Sequence, residues 1–157
     1  MYFEYNQDGC LPQGIHELSL GEIEEEFVKG KSQRQQDIFE NYKSHLKEIK
    51  DTHCCLNHWI DGSFVTLKEN PNDIDTLTEF DGEFVEEKGI KEIIEYIIHD
   101  APLRTEGYCH SLVIYKFPED RKRDYQEYLK YKSKILSILF QGIRNSNNLK
   151  GFVKLRC

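Results

Sequence analysis

The sequence predicts an α/β (α+β) fold, a mixed β-sheet with flanking helices. Two observations carry that expectation. Short apolar runs rich in strand-forming residues, such as "CCLNHWI", "YCHSLVIYKF" and "FVKLR", are separated by longer segments whose apolar residues recur at helical spacing. The two kinds of segment interleave along the chain, which argues for a sheet with helices against it rather than for a bundle or a sandwich. At 157 residues the chain is expected to form one domain over 1–157, with a helical extension at its N-terminal end.

Taken in order, "NQDGCLPQGIHEL" reads as an irregular arm, because Gly, Pro and polar residues dominate it. In "SLGEIEEEFV", Ser19 and Glu22 form a capping box at the start of a short helix, which ends by Gly30. Ser32 caps a second helix with Ile38, Phe39, Tyr42, Leu46 and Ile49 on its buried stripe. "CCLNHWI" is then a central strand ended by Gly62 and Ser63, "LKENPN" a turn, and "DIDTLTEF" the next extended segment. "GIKEIIEYIIHD" places Ile90, Ile93, Ile94, Ile97 and Ile98 on one helical stripe that stops before Pro102. After the strand in "YCHSLVIYKF", Pro118 opens a long helix with Tyr125, Tyr128, Leu129, Ile135, Leu136, Leu139 and Phe140 inward, and "SNNLKG" turns the chain into "FVKLR".

A formal charge of −7 gives an average field that repels nucleic acid and anionic membrane, so bulk nucleic-acid binding is not expected. No apolar run approaches the roughly 18–20 residues of a membrane helix, and "MYFEYNQDGC" lacks a basic region followed by an apolar one. Five cysteines, an odd number with one adjacent pair and no C-x-x-C, do not make a disulfide framework. The expectation is a cytoplasmic chain with reduced thiols. "HCCLNH" invites a metal reading, but its setting inside an apolar run reads as a buried strand.

The chemistry concentrates in "IDGSFVTLKENPNDID". Nine residues separate Ser63 from Asp73, and on a strand Asp73 and Asp75 share one face while Ile74 points the other way. Side-by-side carboxylates repel unless a cation lies between them, and oxygen ligands suit Mg2+ or Mn2+, which bridge to phosphates. Gly62 permits close approach of a ligand, and the Ser63 hydroxyl and amide can hydrogen-bond terminal phosphates. The competing reading is a polar turn that happens to be acidic. Lys68, in the turn between the two halves, is either a cation for the triphosphate or a solvated loop lysine. Asp61 reads as a turn residue, and Glu79 lies on the face of the aspartates but too far along to share a metal. Lys132 and Lys134 either steer phosphates or lie on a solvated helix face.

Gly62-Ser63 followed by Asp73-Ile74-Asp75 resembles the active-site pattern of the nucleotidyltransferase superfamily, in its minimal, antitoxin-type form. More of the chain, "LPQGIHELSLGEIEEEF", "IDGSFVTLKENPNDID" and "LKGFVKL", is similar to an uncharacterised family of short prokaryotic proteins assigned to that superfamily. The resemblance implies a nucleotidyltransferase-like fold. It also implies Mg2+ (or Mn2+) on Asp73 and Asp75, a triphosphate on Gly62 and Ser63, and ATP or another nucleoside triphosphate as substrate. It implies transfer of a nucleoside monophosphate to a hydroxyl of a protein partner, a toxin or defence component. Active members add a third carboxylate on a later strand, where this chain has His110, 35 residues after Asp75. His110 is either a replacement general base or a half-buried strand histidine. An alternative function is a catalytically weak or inactive binding module of the same fold that acts by protein–protein contact. A folded domain without nucleotide chemistry is a third.

Overall fold

The computed structural model describes residues 3–100, 108–140, 142 and 148–156. Strand β1 (Gly14–Leu18) leads into helices α1 (Leu20–Phe27) and α2 (Gln33–Asp51). Strand β2 (Cys55–Asp61), a single tight turn of helix (Ser63–Val65) and strand β3 (Ile74–Asp81) follow. Helices α3 (Gly82–Lys88) and α4 (Lys91–Glu95), the latter running on as a wider turn over Tyr96–Asp100, precede strand β4 (Cys109–Lys116). Helix α5 (Lys122–Lys134) likewise widens over Ile135–Phe140, and strand β5 (Gly151–Leu155) ends the described chain. The five strands form one sheet in the order β1-β5-β2-β3-β4. β1 with β5 and β3 with β4 are parallel, whereas β2 is antiparallel to both β3 and β5. The expected mixed sheet with helices against it is the observed architecture.

Local signals explain most of the helix starts. Ser19 accepts the Glu22 amide at 3.2 Å while the Glu22 carboxylate accepts the Ser19 amide at 2.7 Å, completing the capping box of α1. Ser32 caps α2 through the Gln35 amide at 3.2 Å. The α2 stripe Ile38, Phe39, Tyr42 and Leu46 packs with Ile23 and Phe27 of α1 against Ile60, Ile74, Val153 and Leu155 of the sheet. Strand alternation sends Trp59, Leu77, Ile114 and Phe152 to the opposite face, where Tyr128, Ile135 and Phe140 cover them. The result is three layers, each large side chain buried in them contributing about 1.5–3 kcal/mol.

Five expectations need correction. The arm contains β1, which pairs in register from Gly14 with Gly151 to Leu18 with Leu155. A five-residue edge strand with alternate residues exposed leaves little hydrophobic signal, and its partner lies 137 residues downstream. The second extended segment starts at Ile74, so Asp73 stands just outside the ladder. In α4 only Ile94 and Ile98 are fully buried, while Ile93 faces out at 57% exposure. Helix α5 begins at Lys122 with Pro118 in the turn before it, where the Arg121 amide donates to the Pro118 carbonyl at 3.0 Å. Leu129, expected inward, is exposed. Pro102, the turn residues 146–147 and the side chain of Leu139 lie outside the described residues.

"HCCLNH" is strand only from Cys55 onward and is buried only in part: His53 is exposed in the turn before β2 and Leu56 is exposed, whereas Cys54 and His58 are buried. His58 is fully buried, with Nδ1 2.9 Å from Thr78 Oγ1 and its ring stacked on Tyr42. Burial pushes its pKa down to about 3, so the imidazole is neutral. Among the described residues no helix is long and apolar enough to cross a membrane.

Candidate functional site

The two halves of the Gly-Ser and Asp-x-Asp pattern meet at one end of the sheet. β2 ends at Asp61, and Gly62 then turns the chain with φ +89°, a conformation that glycine adopts without a side-chain penalty. Ser63–Val65 makes one tight turn, anchored because Phe64 and Val65 are buried. The departing chain is held by Thr66 Oγ1, which donates to the Ser63 carbonyl at 2.7 Å, and by the Leu67 amide, which donates to the Gly9 carbonyl at 2.8 Å. A Cβ at Gly62 would lie 2.5 Å from Asp75 Oδ2, so the glycine makes room for that carboxylate. We therefore expect Gly62→Ala to cost about 1–3 kcal/mol in backbone strain, read as a lower urea midpoint. The added methyl must also displace Asp75.

Sheet register brings the rest together. Asp61 pairs with Asp75 across β2 and β3, and Asp75 pairs with His110 across β3 and β4, so the three residues form one transverse row. His110 Nδ1 is 3.3 Å from Asp75 Oδ1. The histidine side chain is 71% exposed, which corrects the half-buried reading: its ring stands in solvent beside a carboxylate. Asp73, half-buried just before β3, has its carboxyl pushed up by burial and by the charge of Asp75, against the opposing charges of His110, Arg34 and Lys68. Lys68 is exposed in the turn, where its amide donates to Thr66 Oγ1, and it reaches Asp73 through its charge. Arg34 in the first turn of α2 holds the lead-in to Asp73. Its guanidinium donates to the carbonyls of Pro71 and Asn72 and lies 4.5 Å above the Tyr108 ring.

Asp61 is not the turn residue expected from the sequence. It ends β2 with its side chain 5% exposed and takes both oxygens to Lys150 Nζ at 2.7 and 2.8 Å. Burial, countered by Lys150, lifts its pKa to about 6. Sequence reasoning missed this pair because Lys150 lies 89 residues away and carries no motif of its own. Glu79 and Lys132 belong elsewhere. Glu79, four positions along β3 from Asp75 and buried, accepts from Asn57, Tyr128 and Lys132 at 2.8, 2.6 and 2.8 Å. That network pins α5 to the sheet, with Lys132 also over Trp59. Lys134 is exposed.

The donor set suits a hard divalent cation. Burial first, and then the charge of Asp75, raise the proton affinity of Asp73, and a cation held by both carboxylates would offset the second of these. Among the described residues no group of three or more His, Cys, Asp or Glu side chains could hold a metal alone. Two carboxylates completed by phosphate oxygens and water are the arrangement Mg2+ favours.

Comparison with curated proteins gives no match, and comparison with solved structures gives none. A model of a family of unknown function, DUF6932, matches residues 3–156, and the chain belongs to that family.

Proposed function

We propose that the chain is a Mg2+- or Mn2+-dependent nucleotidyltransferase with a minimal nucleotidyltransferase-like fold. It would move a nucleoside monophosphate from ATP or another nucleoside triphosphate to a hydroxyl of a protein partner, of the toxin or defence type. The observation that carries this reading is the space at Gly62 filled by the Asp75 carboxylate, which brings the Gly-Ser turn against the Asp-x-Asp strand in the folded chain. Supporting it, the residue in register with Asp75 on β4 is His110, on the later strand where the resemblance to nucleotidyltransferases implies a third site residue.

In this reading the Ser63 hydroxyl and amide hold terminal phosphate oxygens, with Gly62 allowing the backbone to come close. Asp73 and Asp75 would hold the cation, which when bound supplies charge neutralisation to the triphosphate. Lys68 adds positive charge at the mouth. The acceptor oxygen forms a bond to the α-phosphorus, the bond from that phosphorus to the bridging oxygen breaks, and pyrophosphate leaves. His110 takes the acceptor proton, being exposed to an incoming hydroxyl and oriented by Asp75. Most of the rate gain comes from positioning.

The test is incubation of the purified chain with α-labelled nucleoside triphosphates, magnesium and cell protein, followed by detection of label on protein. Wild type transfers label, and Asp73→Asn reduces transfer to background while keeping the wild-type unfolding profile. Full transfer by Asp73→Asn contradicts the assignment. A second reading, a catalytically weak binding module, is favoured by the imidazole standing where a third carboxylate is expected. It predicts partner neutralisation that survives Asp73→Asn and needs no nucleotide.

A further inference from the structure

Between the Gly-Ser turn and the Asp-x-Asp strand, the chain from 67 to 73 has no helix or strand of its own. The first turn of α2 holds it instead, through three side chains that all donate to main-chain carbonyls. Gln35 Nε2 donates to the Phe64 carbonyl at 3.0 Å, Ser32 Oγ to the Glu69 carbonyl at 2.9 Å, and the Arg34 guanidinium to the carbonyls of Pro71 and Asn72. The clamp grips the path of the chain and not its side chains. Its base is firm, since Ile38, Phe39 and Tyr42 in the next turns of α2 are fully buried.

Arg34 has the largest share. Its Nε and Nη2 take the two successive carbonyls directly before Asp73, and the guanidinium lies 4.5 Å above the ring of Tyr108. The Tyr108 carbonyl in turn accepts the Ile74 amide at 3.0 Å, and His110 follows two residues later. One side chain thereby ties the approach to Asp73 to the approach to His110. Among the described residues no hydrogen bond or ion pair fixes the Asp73 carboxylate itself. Its place relative to Asp75 is set by its backbone, one residue ahead of the β3 ladder.

Charge and position act in opposite directions here. The guanidinium is close enough to Asp73 to oppose the rise in its proton affinity, and by charge alone it repels a metal ion at the same carboxylate. We propose that Arg34 is the positioning residue of the cation site: it holds Asp73 where that carboxylate and Asp75 share one divalent ion, and its hold outweighs its repulsion. Groups that orient a metal ligand without touching the metal change affinity by about 10–100-fold. The inference rests on the reading of Asp73 and Asp75 as cation ligands, and the experiment separates the two.

The experiment is a titration of the full chain with Mn2+ alone, followed by the paramagnetic relaxation of water protons, with urea denaturation of each protein alongside. Wild type is expected to bind Mn2+ and Asp73→Asn to lose it. Arg34→Met should bind about tenfold more weakly than wild type in a chain that still unfolds cooperatively, whereas loss of the charge without loss of position would tighten binding. Arg34→Lys keeps the charge but lacks the planar fork that takes two carbonyls and lies flat on a ring, so it should weaken binding as well. Tyr108→Leu, which removes the ring and leaves the guanidinium, should weaken binding in the same direction and serves if Arg34→Met does not fold. Unchanged or tighter binding by Arg34→Met overturns the inference and leaves the cation site standing, and wild-type affinity in Arg34→Lys overturns it too. No Mn2+ binding by wild type, or binding that Asp73→Asn retains, removes the cation reading of Asp73 and this inference with it.

Discussion

Gly151→Ala is expected to destabilise the protein by about 4 kcal/mol, among the largest effects a single methyl can have. An added Cβ would sit 1.9 Å from the Pro12 carbonyl oxygen and 2.7 Å from His16 Nε2. The first neighbour is backbone and cannot rotate away. Gly151 begins β5 opposite Gly14, and its own amide donates to the Leu11 carbonyl at 3.0 Å, so relief requires β1 and β5 to separate at that end. The neighbouring residue is Lys150, whose ammonium holds Asp61 beside the candidate site. Urea denaturation checks the size of the effect. A loss below 1 kcal/mol would show that the arm yields easily and that β1 is a weak part of the sheet.

Lys150→Met is expected to cost about 3–5 kcal/mol at pH 7.5, because it leaves the Asp61 carboxylate buried with no counter-charge. The deficit should depend on pH in a definite direction. The folded-state pKa of Asp61, about 6, lies above its ordinary value of 3.8. The folded protein therefore takes up this proton before the unfolded chain does. The charged form costs stability, a cost that grows as pH rises from about 4 through about 6 and is complete above that. Removing Lys150 takes away the attraction that opposes burial and moves the carboxyl further up. Acidification to pH 5 neutralises Asp61 in the variant, so its deficit against wild type shrinks. Denaturation of both proteins at pH 5 and pH 7.5 reads the difference. A deficit that is constant across that range would mean that Lys150 acts through packing of its stem and not through its charge.

Much of the fold was legible because its signals are local. The capping serines, the α2 stripe and the strands around Trp59 and Ile114 all follow from patterns within a single segment. β1 was not legible, since "GIHEL" is short and half-exposed and acquires its identity only from Gly151–Leu155 at the other end of the chain. The same contrast runs through the candidate site. Gly62, Ser63, Asp73 and Asp75 lie within 14 residues and could be grouped from spacing alone. His110 could be placed by its strand, although its exposure could not. Asp61–Lys150 and the hold of Arg34 on the lead-in to Asp73 are pairings at long separation that only the folded sheet and α2 create. Gln35, periodic with the α2 core stripe, looked like any helix residue until its amide met the Phe64 carbonyl.

The central claim is that the Gly62–Ser63 turn and the Asp73–Asp75 pair form one site for a metal-bound triphosphate. Calorimetric titration of each nucleoside triphosphate, with and without magnesium, into wild type and Asp73→Asn tests it without any assumption about the acceptor. The account predicts magnesium-dependent binding to wild type that Asp73→Asn loses. Binding that is indifferent to magnesium and to Asp73→Asn, or no binding to either protein, would contradict it.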